Sequence, residues 1–251
     1  MGNNGNIRGM ILAAGMGTRL DPYTRHQPKA LLRVGRYTLL EQAVKKLISH
    51  GITRIVVNVH HHAQQVREYI DREGGFGVDM EISGEEDRLL DTGGGIFHAA
   101  SFLSRAQHCV VYNVDVVSNI DLDRMIEKHR ASGALVTLAV RERKSSRYLL
   151  FDENGRLRAW KDDGTGEIKG NDTRNRRLVP LAFSGIHVLS TEIFNLYTAD
   201  EPSFPIIPVY LELARTHPVL AYPHNGDVWM DVGKPSRIEE AGNWLNENMK
   251  Y

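Results

Sequence analysis

Over the first 140 residues, short apolar runs alternate with segments whose apolar residues recur at helical spacing. The apolar runs have the length and β-branched content of buried strands, and they lie at 9–14, 55–59, 80–82, 109–112 and 135–140. The helical segments lie at 39–48, 63–72, 96–102 and 121–131. This alternation predicts an α/β fold with a doubly wound, mostly parallel sheet that carries helices on both faces.

After about residue 141 the pattern becomes less regular. Two strand-like runs, 148–152 and 156–160, flank Asn154 and Gly155, a pair typical of tight turns, so a β-hairpin is predicted. The charged stretch 161–177 predicts an irregular surface loop. Strands are predicted at 181–189, 219–222 and 228–232, and helices near Thr191, after Pro208 and at 235–248. No internal repeat or long linker interrupts the pattern, so we expect one domain over 1–251.

Composition narrows the classes of function. Lys and Arg number 31, as do Asp and Glu, so the formal net charge is zero, which disfavours a nucleic-acid or membrane-surface binder. The chain is 41% hydrophobic, has no apolar run near the about 18 residues of a membrane span, and starts with polar residues. We therefore expect a soluble, cytoplasmic protein. Its single cysteine, Cys109, excludes an intramolecular disulfide.

A glycine-containing loop directly follows the first predicted strand. Gly15 and Gly17 would let backbone N–H groups approach a phosphate, and Arg19 and Lys29 add positive charge for a polyphosphate. The third glycine of a dinucleotide-binding fingerprint is replaced by Leu20, and the chain lacks the Gly-Lys-Ser/Thr of a P-loop. Hydride transfer and P-loop kinase chemistry are therefore disfavoured. An ordinary strand-to-loop turn explains the glycines alone, but not the cations that follow them.

The stretch LAAGMGTRL from Leu12 to Leu20, followed by Pro28 and Lys29, resembles the signature of the sugar-1-phosphate nucleotidyltransferases. The resemblance extends from about residue 10 to about residue 248. It implies a Rossmann-like mixed sheet of the nucleotide-diphospho-sugar transferase type. It also implies a nucleotide-binding half at about 7–140 and a sugar-phosphate-binding half, which contains the hairpin, at about 141–251.

The loop of this family wraps a nucleoside triphosphate. The resemblance therefore implies that Arg19 and Lys29 are catalytic, because they would neutralise the triphosphate and the pyrophosphate leaving group. The nucleotide contacts that it implies in the loop are Leu12, Ala13, Ala14, Gly15, Gly17 and Thr18.

The run from Asp91 to Gly95 (DTGGG) precedes a predicted helix and resembles the glycine-rich base-recognition turn of the family. By this resemblance Thr92, Gly93 and Gly94 would contact the nucleotide. Three glycines before a helix also fit a simple flexible entry turn, and the sequence leaves both interpretations open.

Two aspartates look like the carboxylates that hold a catalytic Mg²⁺ in the family. Asp115 ends a buried strand, and Asp231 lies in a strand near the C-terminus. Carboxylates suit this hard cation, although a lone Asp at a strand end is more often a cap or turn residue. Val114 occupies the position where the family usually has glycine, and it adds bulk beside the predicted metal site.

Sugar-phosphate contacts are implied in the second half. Lys161 follows the hairpin and aligns with a family lysine that contacts the sugar phosphate, and Ser184 and Gly185 lie in a strand that lines the sugar pocket in the family. A lysine in a charged loop is usually just solvated. Basic residues on both sides of the loop form either a surface patch or a second site for a phosphorylated substrate: Arg141, Arg143, Lys144, Arg147, Arg174, Arg176 and Arg177.

These features predict an enzyme that joins a nucleoside triphosphate to a sugar 1-phosphate by Mg²⁺-assisted in-line attack and releases pyrophosphate. Within the family, the short length and the runs 91–95 and 183–186 resemble the uridylyltransferases most, which implies UTP, and the similarity to guanylyltransferases leaves GTP open. One alternative is a phosphocholine-type cytidylyltransferase with an aromatic cage from Tyr148, Trp160 and Phe183. Another is a catalytically silent subunit that senses nucleotides or sugar phosphates. We expect no nucleic-acid or membrane partner, and a homo-oligomer is compatible with the sequence, which leaves the oligomeric state open.

Overall fold

The computed structural model describes residues 7–85, 88–170 and 177–248. The strands, in chain order, are β1 (Ile7–Leu12), β2 (Arg33–Val34), β3 (Tyr37–Thr38), β4 (Arg54–Val59), β5 (Asp79–Gly84), β6 (His108–Asn113), β7 (Val116–Ser118), β8 (Val136–Arg141), β9 (Arg147–Phe151), β10 (Leu157–Asp162), β11 (Ile168–Gly170), β12 (Val179–Ser190), β13 (Val219–Pro223) and β14 (Trp229–Asp231). The α-helices are α1 (Leu39–Ser49), α2 (Ala63–Arg72), α3 (Asp91–His98), α4 (Ala100–Leu103), α5 (Leu122–Ser132), α6 (Ile193–Leu196), α7 (Ile206–Leu213) and α8 (Ser236–Asn248).

The large sheet is mixed. Its parallel part has the order β5–β4–β1–β6. β12 lies antiparallel to β6, and it also pairs antiparallel with β8 and β9. β9, β10 and β11 form an antiparallel meander, and β13 pairs in parallel with β8. The predicted α/β fold is therefore confirmed, with parallel pairing confined to the first-half strands and the β8–β13 pair.

Helices cover both faces of the parallel strands. Ile7 and Ile11 of β1 belong to an apolar cluster that includes residues of α1, α2, α5 and α8. Met10 belongs to a second cluster with residues of α3, α4 and α7. Because side chains alternate along a strand and both faces are buried, β1 has the continuous apolar sequence that predicted it.

One prediction about the large sheet needs correction, and one predicted strand lies outside that sheet. The strand predicted at 135–140 does not extend the parallel series, because the 12-residue β12 pairs with β6 and separates β8 from it. The strand predicted at 228–232 is β14, which forms a separate two-stranded ribbon with β7 and places Asp231 opposite Val116. Long-range pairing, rather than local apolar spacing, decides both outcomes.

The irregular loop predicted over 161–177 is wrong for its first part. β10 continues to Asp162, and β11 pairs with it antiparallel. The side chains of β11 are exposed, so backbone hydrogen bonds hold this edge strand without a polar–apolar alternation that the sequence could show. Arg174 and Arg176, in the remainder of the loop, lie outside the described residues.

The helix expected after Pro208 begins at Ile206 instead, so Pro208 lies in its first turn, where a missing N–H removes no hydrogen bond of the helix. In the part of the chain that the structure describes, no helix has the length and apolar character needed to cross a membrane.

Buried histidines predict that the fold is sensitive to acid. His187 is buried, and its Nδ1 lies 3.0 Å from the Tyr210 hydroxyl oxygen. Burial lowers the pKa of the His187 imidazole to about 3. In the unfolded chain the His187 imidazole binds a proton near pH 6.5, whereas in the folded protein it does so only near pH 3. The contribution of His187 to the free energy of unfolding is therefore constant above pH 6.5 and falls as the pH decreases toward 3. For His187 alone, the free energy of unfolding should fall by about 3 kcal/mol between pH 7 and pH 4.5.

His187→Gln, which keeps an acceptor for Tyr210, should weaken this pH dependence in urea unfolding followed at both pH values. The same substitution at the exposed His26 should leave the dependence unchanged. Equal pH dependence in wild-type protein and His187→Gln would contradict the assignment.

Candidate active site

A cleft of about 200 Å³ opens at the carboxyl ends of the parallel strands β1, β4 and β6, the edge where ligands bind in open α/β sheets. Six of the residues predicted from sequence line it: Leu12, Ala14, Gly15, Lys29, Thr92 and Asp115. Asp91, the start of the glycine-rich run, and Val114, expected beside the metal site, line it as well, and three residues that the sequence did not identify complete the lining among the described residues: Asn58, Leu89 and Asn113.

The glycine loop begins where β1 ends and is held from two sides. The Ala13 amide donates to Asn58 Oδ1 at 2.7 Å, and the Val114 amide donates to the Leu12 carbonyl at 3.1 Å. Gly17 has a φ of 67°, and a Cβ there would lie 3.1 Å from Lys29 Cβ. Gly15 has open space around the position of a Cβ. The loop is therefore anchored at its ends, and its exposed glycine faces the cleft.

A buried polar network fixes Asn58. Its Nδ2 donates to Glu85 Oε1 at 2.6 Å, and Glu85 Oε2 accepts the Leu90 amide at 2.8 Å just before α3. Asn58 and Glu85 therefore connect the glycine loop to the start of α3. Asn58 is a polar residue near the end of the apolar strand β4. A polar residue at that position is the sequence feature that could have identified Asn58 as part of the site.

The glycine-rich run does not form a turn before a helix; it is the first part of α3 itself. The glycines are required by packing. A Cβ on Gly93 would lie 2.4 Å from the Phe204 ring, and one on Gly94 would lie 2.2 Å from the Pro202 carbonyl oxygen. The amides of both glycines donate to the Phe204 carbonyl, at 2.9 and 3.1 Å. Of the predicted base contacts here, only Thr92 lines the cleft.

Gly94→Ala should destabilise the protein although alanine favours a helix interior by about 1 kcal/mol. The added methyl group would collide with the backbone of Pro202, and such overpacking costs about 1–3 kcal/mol or more. We expect a net loss in the free energy of unfolding by urea denaturation. Gly15→Ala, where the space is open, should leave stability unchanged, and an equal loss in both variants would contradict the packing role.

The buried Lys29 ammonium pairs with Asp115 Oδ2 at the floor of the cleft. Lys29 follows Pro28 in a short 3₁₀ turn, and Asp115 follows β6, so their contact joins segments that are 86 residues apart. Asp115 keeps 21% of its side chain exposed, toward the cleft that it lines. A cation and a carboxylate thus stand together where the loop, β1 and β6 meet.

The second predicted metal ligand is brought to the same place by the ribbon. Asp231 pairs with Val116 in register, and the Val232 amide donates to the Asp115 carbonyl at 2.9 Å. Asp231 Oδ1 is buried and has no hydrogen-bond partner among the described residues. A Cβ on Gly233 would lie 2.7 Å from this oxygen and 2.9 Å from Arg19 Nη2, so the carboxylate and the guanidinium flank the same glycine.

A second cavity, of about 470 Å³, lies over the hairpin. Three aromatic side chains, Tyr148, Trp160 and Phe183, line it together with Arg143 and other cations. Arg143 stacks over the ring of Trp229, which lies two residues before Asp231 in β14, so this cavity adjoins the ribbon that carries Asp231.

The predicted sugar-phosphate residues are not among those that line this cavity in the described chain. Lys161 Nζ lies 2.6 Å from Asp163 Oδ1, and this pairing raises the pKa of the lysine. Ser184 is buried, with its hydroxyl 2.6 Å from His224 Nε2. Gly185 has a φ of 73°, and a Cβ there would lie 2.8 Å from Asn113 Nδ2. Ser184 and Gly185 therefore support the walls, whereas Trp160 and Phe183 form them.

A separate titratable group lies between α1 and α5. One ligand atom from each of His50, Asp121 and Asp123 lies within 4.8 Å of the others. The buried Lys46 lies near the same carboxylates; burial lowers its pKa to about 8, while Asp121 and Asp123 raise it. Since a lysine already supplies positive charge there, and these residues line neither cavity in the described chain, we assign the group to packing.

The chain is similar to proteins of known class. Two relatives are N-acetylmuramate alpha-1-phosphate uridylyltransferases. The one from Caulobacter vibrioides is 31% identical over 236 residues, which cover 90% of this chain and 91% of the relative. The one from Neisseria meningitidis serogroup B is 29% identical, covering 94% of this chain and 96% of the relative.

The fold is also that of UDP-glucose pyrophosphorylase complexed with UDP-glucose, with a TM-score of 0.75 at 16% identity, covering 96% of this chain and 99% of that chain. Residues 8–248 match the family described as nucleotidyl transferase. The chain belongs to this family, and its enzyme class is that of the sugar-1-phosphate nucleotidyltransferases.

Proposed function

We propose that this enzyme transfers a uridylyl group from UTP to a sugar 1-phosphate, giving a UDP-sugar and pyrophosphate. The observation that carries the proposal is the convergence of Lys29, Asp115, Asp231 and Arg19 beside a glycine loop at the carboxyl edge of the sheet. This arrangement matches the needs of phosphoryl chemistry, which are positioning and neutralisation of charge.

The reaction is an in-line displacement. An oxygen of the acceptor phosphate attacks the α-phosphorus of UTP, and a new P–O bond forms while the bond to the bridging oxygen of pyrophosphate breaks. The electron pair leaves with pyrophosphate. The attacking oxygen is already anionic, so the step needs no general base. The loop amides near Gly15 would hold the phosphates, and Lys29 and Arg19 would stabilise the charge that develops on the leaving group.

Asp115 and Asp231 are the residues that would hold a Mg²⁺ ion. The fit rests on Asp231 Oδ1, a buried carboxylate oxygen without a partner among the described residues, next to the partly exposed carboxylate of Asp115. An uncompensated buried carboxylate is costly unless a cation pairs with it. When bound, Mg²⁺ would supply charge neutralisation at the phosphates.

UTP and a sugar 1-phosphate of the N-acetylmuramate type are the substrates that the relatives favour. Both uridylyltransferases share more than nine tenths of their length with this chain. A phosphocholine acceptor fits less well, because the aromatic cavity also contains Arg143, Arg147 and Lys169, which would repel a quaternary amine.

Pyrophosphate release over a matrix of nucleoside triphosphates and sugar 1-phosphates, with and without Mg²⁺, tests the proposal. We expect the highest turnover with UTP and an amino-sugar 1-phosphate, and none in EDTA. Tight binding of a triphosphate without turnover with any acceptor would favour the sensing alternative. Turnover confined to GTP would overturn the assignment of UTP.

A further inference from the structure

Of the described residues, three cationic side chains line the cavity over the hairpin, and two of them are already paired. Arg147 Nε lies 3.3 Å from Asp162 Oδ2, and Lys169 Nζ lies 3.1 Å from Glu167 Oε1. No carboxylate of the described chain lies within ion-pair distance of Arg143. Of these three cations, Arg143 is therefore the one that is available to an anionic ligand.

The position of the Arg143 guanidinium is fixed by its neighbours. It stacks over the Trp229 ring at 4.6 Å, and its Nη2 donates to the Phe183 carbonyl at 3.0 Å. Trp229 is itself held by a 2.8 Å hydrogen bond from its indole N–H to the Ser184 carbonyl. A stacked and hydrogen-bonded arginine is preorganised, so little side-chain entropy is lost when it binds a ligand.

Arg143 also has unused binding capacity. Its Nε is buried and has no hydrogen-bond partner among the described residues. Burial lowers the pKa of the guanidinium, and the nearby Asp231 raises it again. The group stays charged, since an arginine loses its proton only at very high pH. The Nη1 group makes only a long contact, 3.5 Å, with the Lys144 carbonyl. A charged, partly desolvated guanidinium whose N–H groups are incompletely paired favours an anion strongly.

We propose that Arg143 binds the phosphate of the sugar 1-phosphate, while the sugar lies against the aromatic walls formed by Tyr148, Trp160 and Phe183. The inference rests on the proposed function and adds the residue that selects the acceptor. The guanidinium supplies a fixed positive charge and N–H donors for the phosphate oxygens. Because Arg143 stacks on Trp229, two residues before Asp231 in β14, that phosphate would lie beside the ribbon that carries a proposed metal-binding carboxylate.

This inference differs from the expectation for Lys161. Trp160 lines the cavity, and adjacent side chains of a strand point to opposite faces of the sheet, so Lys161 points away from the cavity. Its ammonium is paired with Asp163 in the turn after β10. The two cations therefore make a matched pair of variants: Arg143→Gln removes the proposed contact, and Lys161→Gln removes a nearby charge of the same sign.

The test is steady-state kinetics with the acceptor that the wild-type enzyme uses best in the substrate matrix. Absence of turnover in wild-type enzyme is a failure of the proposed function, and it is seen before any variant is measured. Given turnover, Arg143→Gln should raise the KM for the acceptor at least tenfold and change the KM for the triphosphate less than twofold. Lys161→Gln should change neither more than twofold.

Inorganic phosphate supplies a second readout. It should inhibit wild-type enzyme competitively with the acceptor, and its inhibition constant should rise in Arg143→Gln. Arg143→Lys, which keeps the charge and loses the planar fork, should give an intermediate KM, and it replaces Arg143→Gln if that variant does not fold. An unchanged acceptor KM in both Arg143 variants, an equal rise in both substrate KM values, or an effect confined to Lys161→Gln would overturn the proposal.

Discussion

Replacing Lys29 with alanine is expected to lower kcat/KM of the uridylyl transfer by about 10²–10³-fold, the order of loss that follows removal of one preorganised donor that stabilises transition-state charge. The ammonium is buried, so its charge acts in a region of low dielectric. Most of the loss should appear in kcat, because the charge on the leaving pyrophosphate develops in the transition state.

Circular dichroism separates this role from a structural one and should show a folded protein. Pyrophosphorolysis of the UDP-sugar should fall by a similar factor in kcat/KM, since the enzyme cannot change the equilibrium constant. Lys45→Ala, on the surface of α1 and 3.9 Å from Glu41, is the matched control and should keep wild-type activity. Activity of Lys29→Ala within tenfold of wild type would exclude Lys29 from the chemistry.

The sequence predicted only part of the contact between Lys29 and Asp115. The loop and the Pro28-Lys29 pair predicted a cation near a phosphate, and the apolar run of β6 predicted that Asp115 would follow a buried strand. Their pairing depends on β1 and β6 being neighbours in the sheet, with Leu12 opposite Asn113. Local sequence carries no information about strand order, so the ion pair itself could not be derived.

The alternation of side chains along a strand explains a second difference between the prediction and the structure, at Lys161. The sequence shows that Lys161 follows Trp160. Which of these two side chains points into the cavity depends on the register of β10 against β9 and β11. A shift of one residue moves every side chain to the other face. Sequence patterning fixes such a choice only where one face is clearly apolar, and β10 is mixed on both faces.

Close packing explains a third difference, in the glycine-rich run. The glycines from Gly93 to Gly95 predicted a turn before a helix, either for base recognition or as a flexible entry, yet these residues lie in α3. They are glycines because Phe204, Pro202 and Asn58 approach the helix too closely for a side chain. Asn58 and Glu85 were missed for a related reason: 27 residues separate them, and neither belongs to a motif. The glycines of α3 thus allow close approach of other protein segments, whereas the role proposed for Gly15 is close approach of the backbone to a phosphate.

Asp231→Asn is expected to have the other large effect, a fall in kcat of about 10³-fold together with a higher Mg²⁺ requirement. Asparagine has the same shape, so the ribbon pairing of Asp231 with Val116 should persist. The buried Oδ1, which has no partner among the described residues, would lose the negative charge that a cation requires.

Thermal unfolding distinguishes this explanation from a loss of structure. Without metal, Asp231→Asn should melt at or above the wild-type Tm, because one of two neighbouring carboxylate charges is gone. Mg²⁺ with UTP should raise the Tm of wild-type enzyme and raise that of the variant much less, since a ligand stabilises only the state that binds it. Asp163→Asn, in the exposed turn beyond β10, should behave as wild type in both assays. Wild-type turnover at an unchanged half-saturating Mg²⁺ concentration in Asp231→Asn would show that the metal is held elsewhere, and Asp115 would then act through its pairing with Lys29 alone.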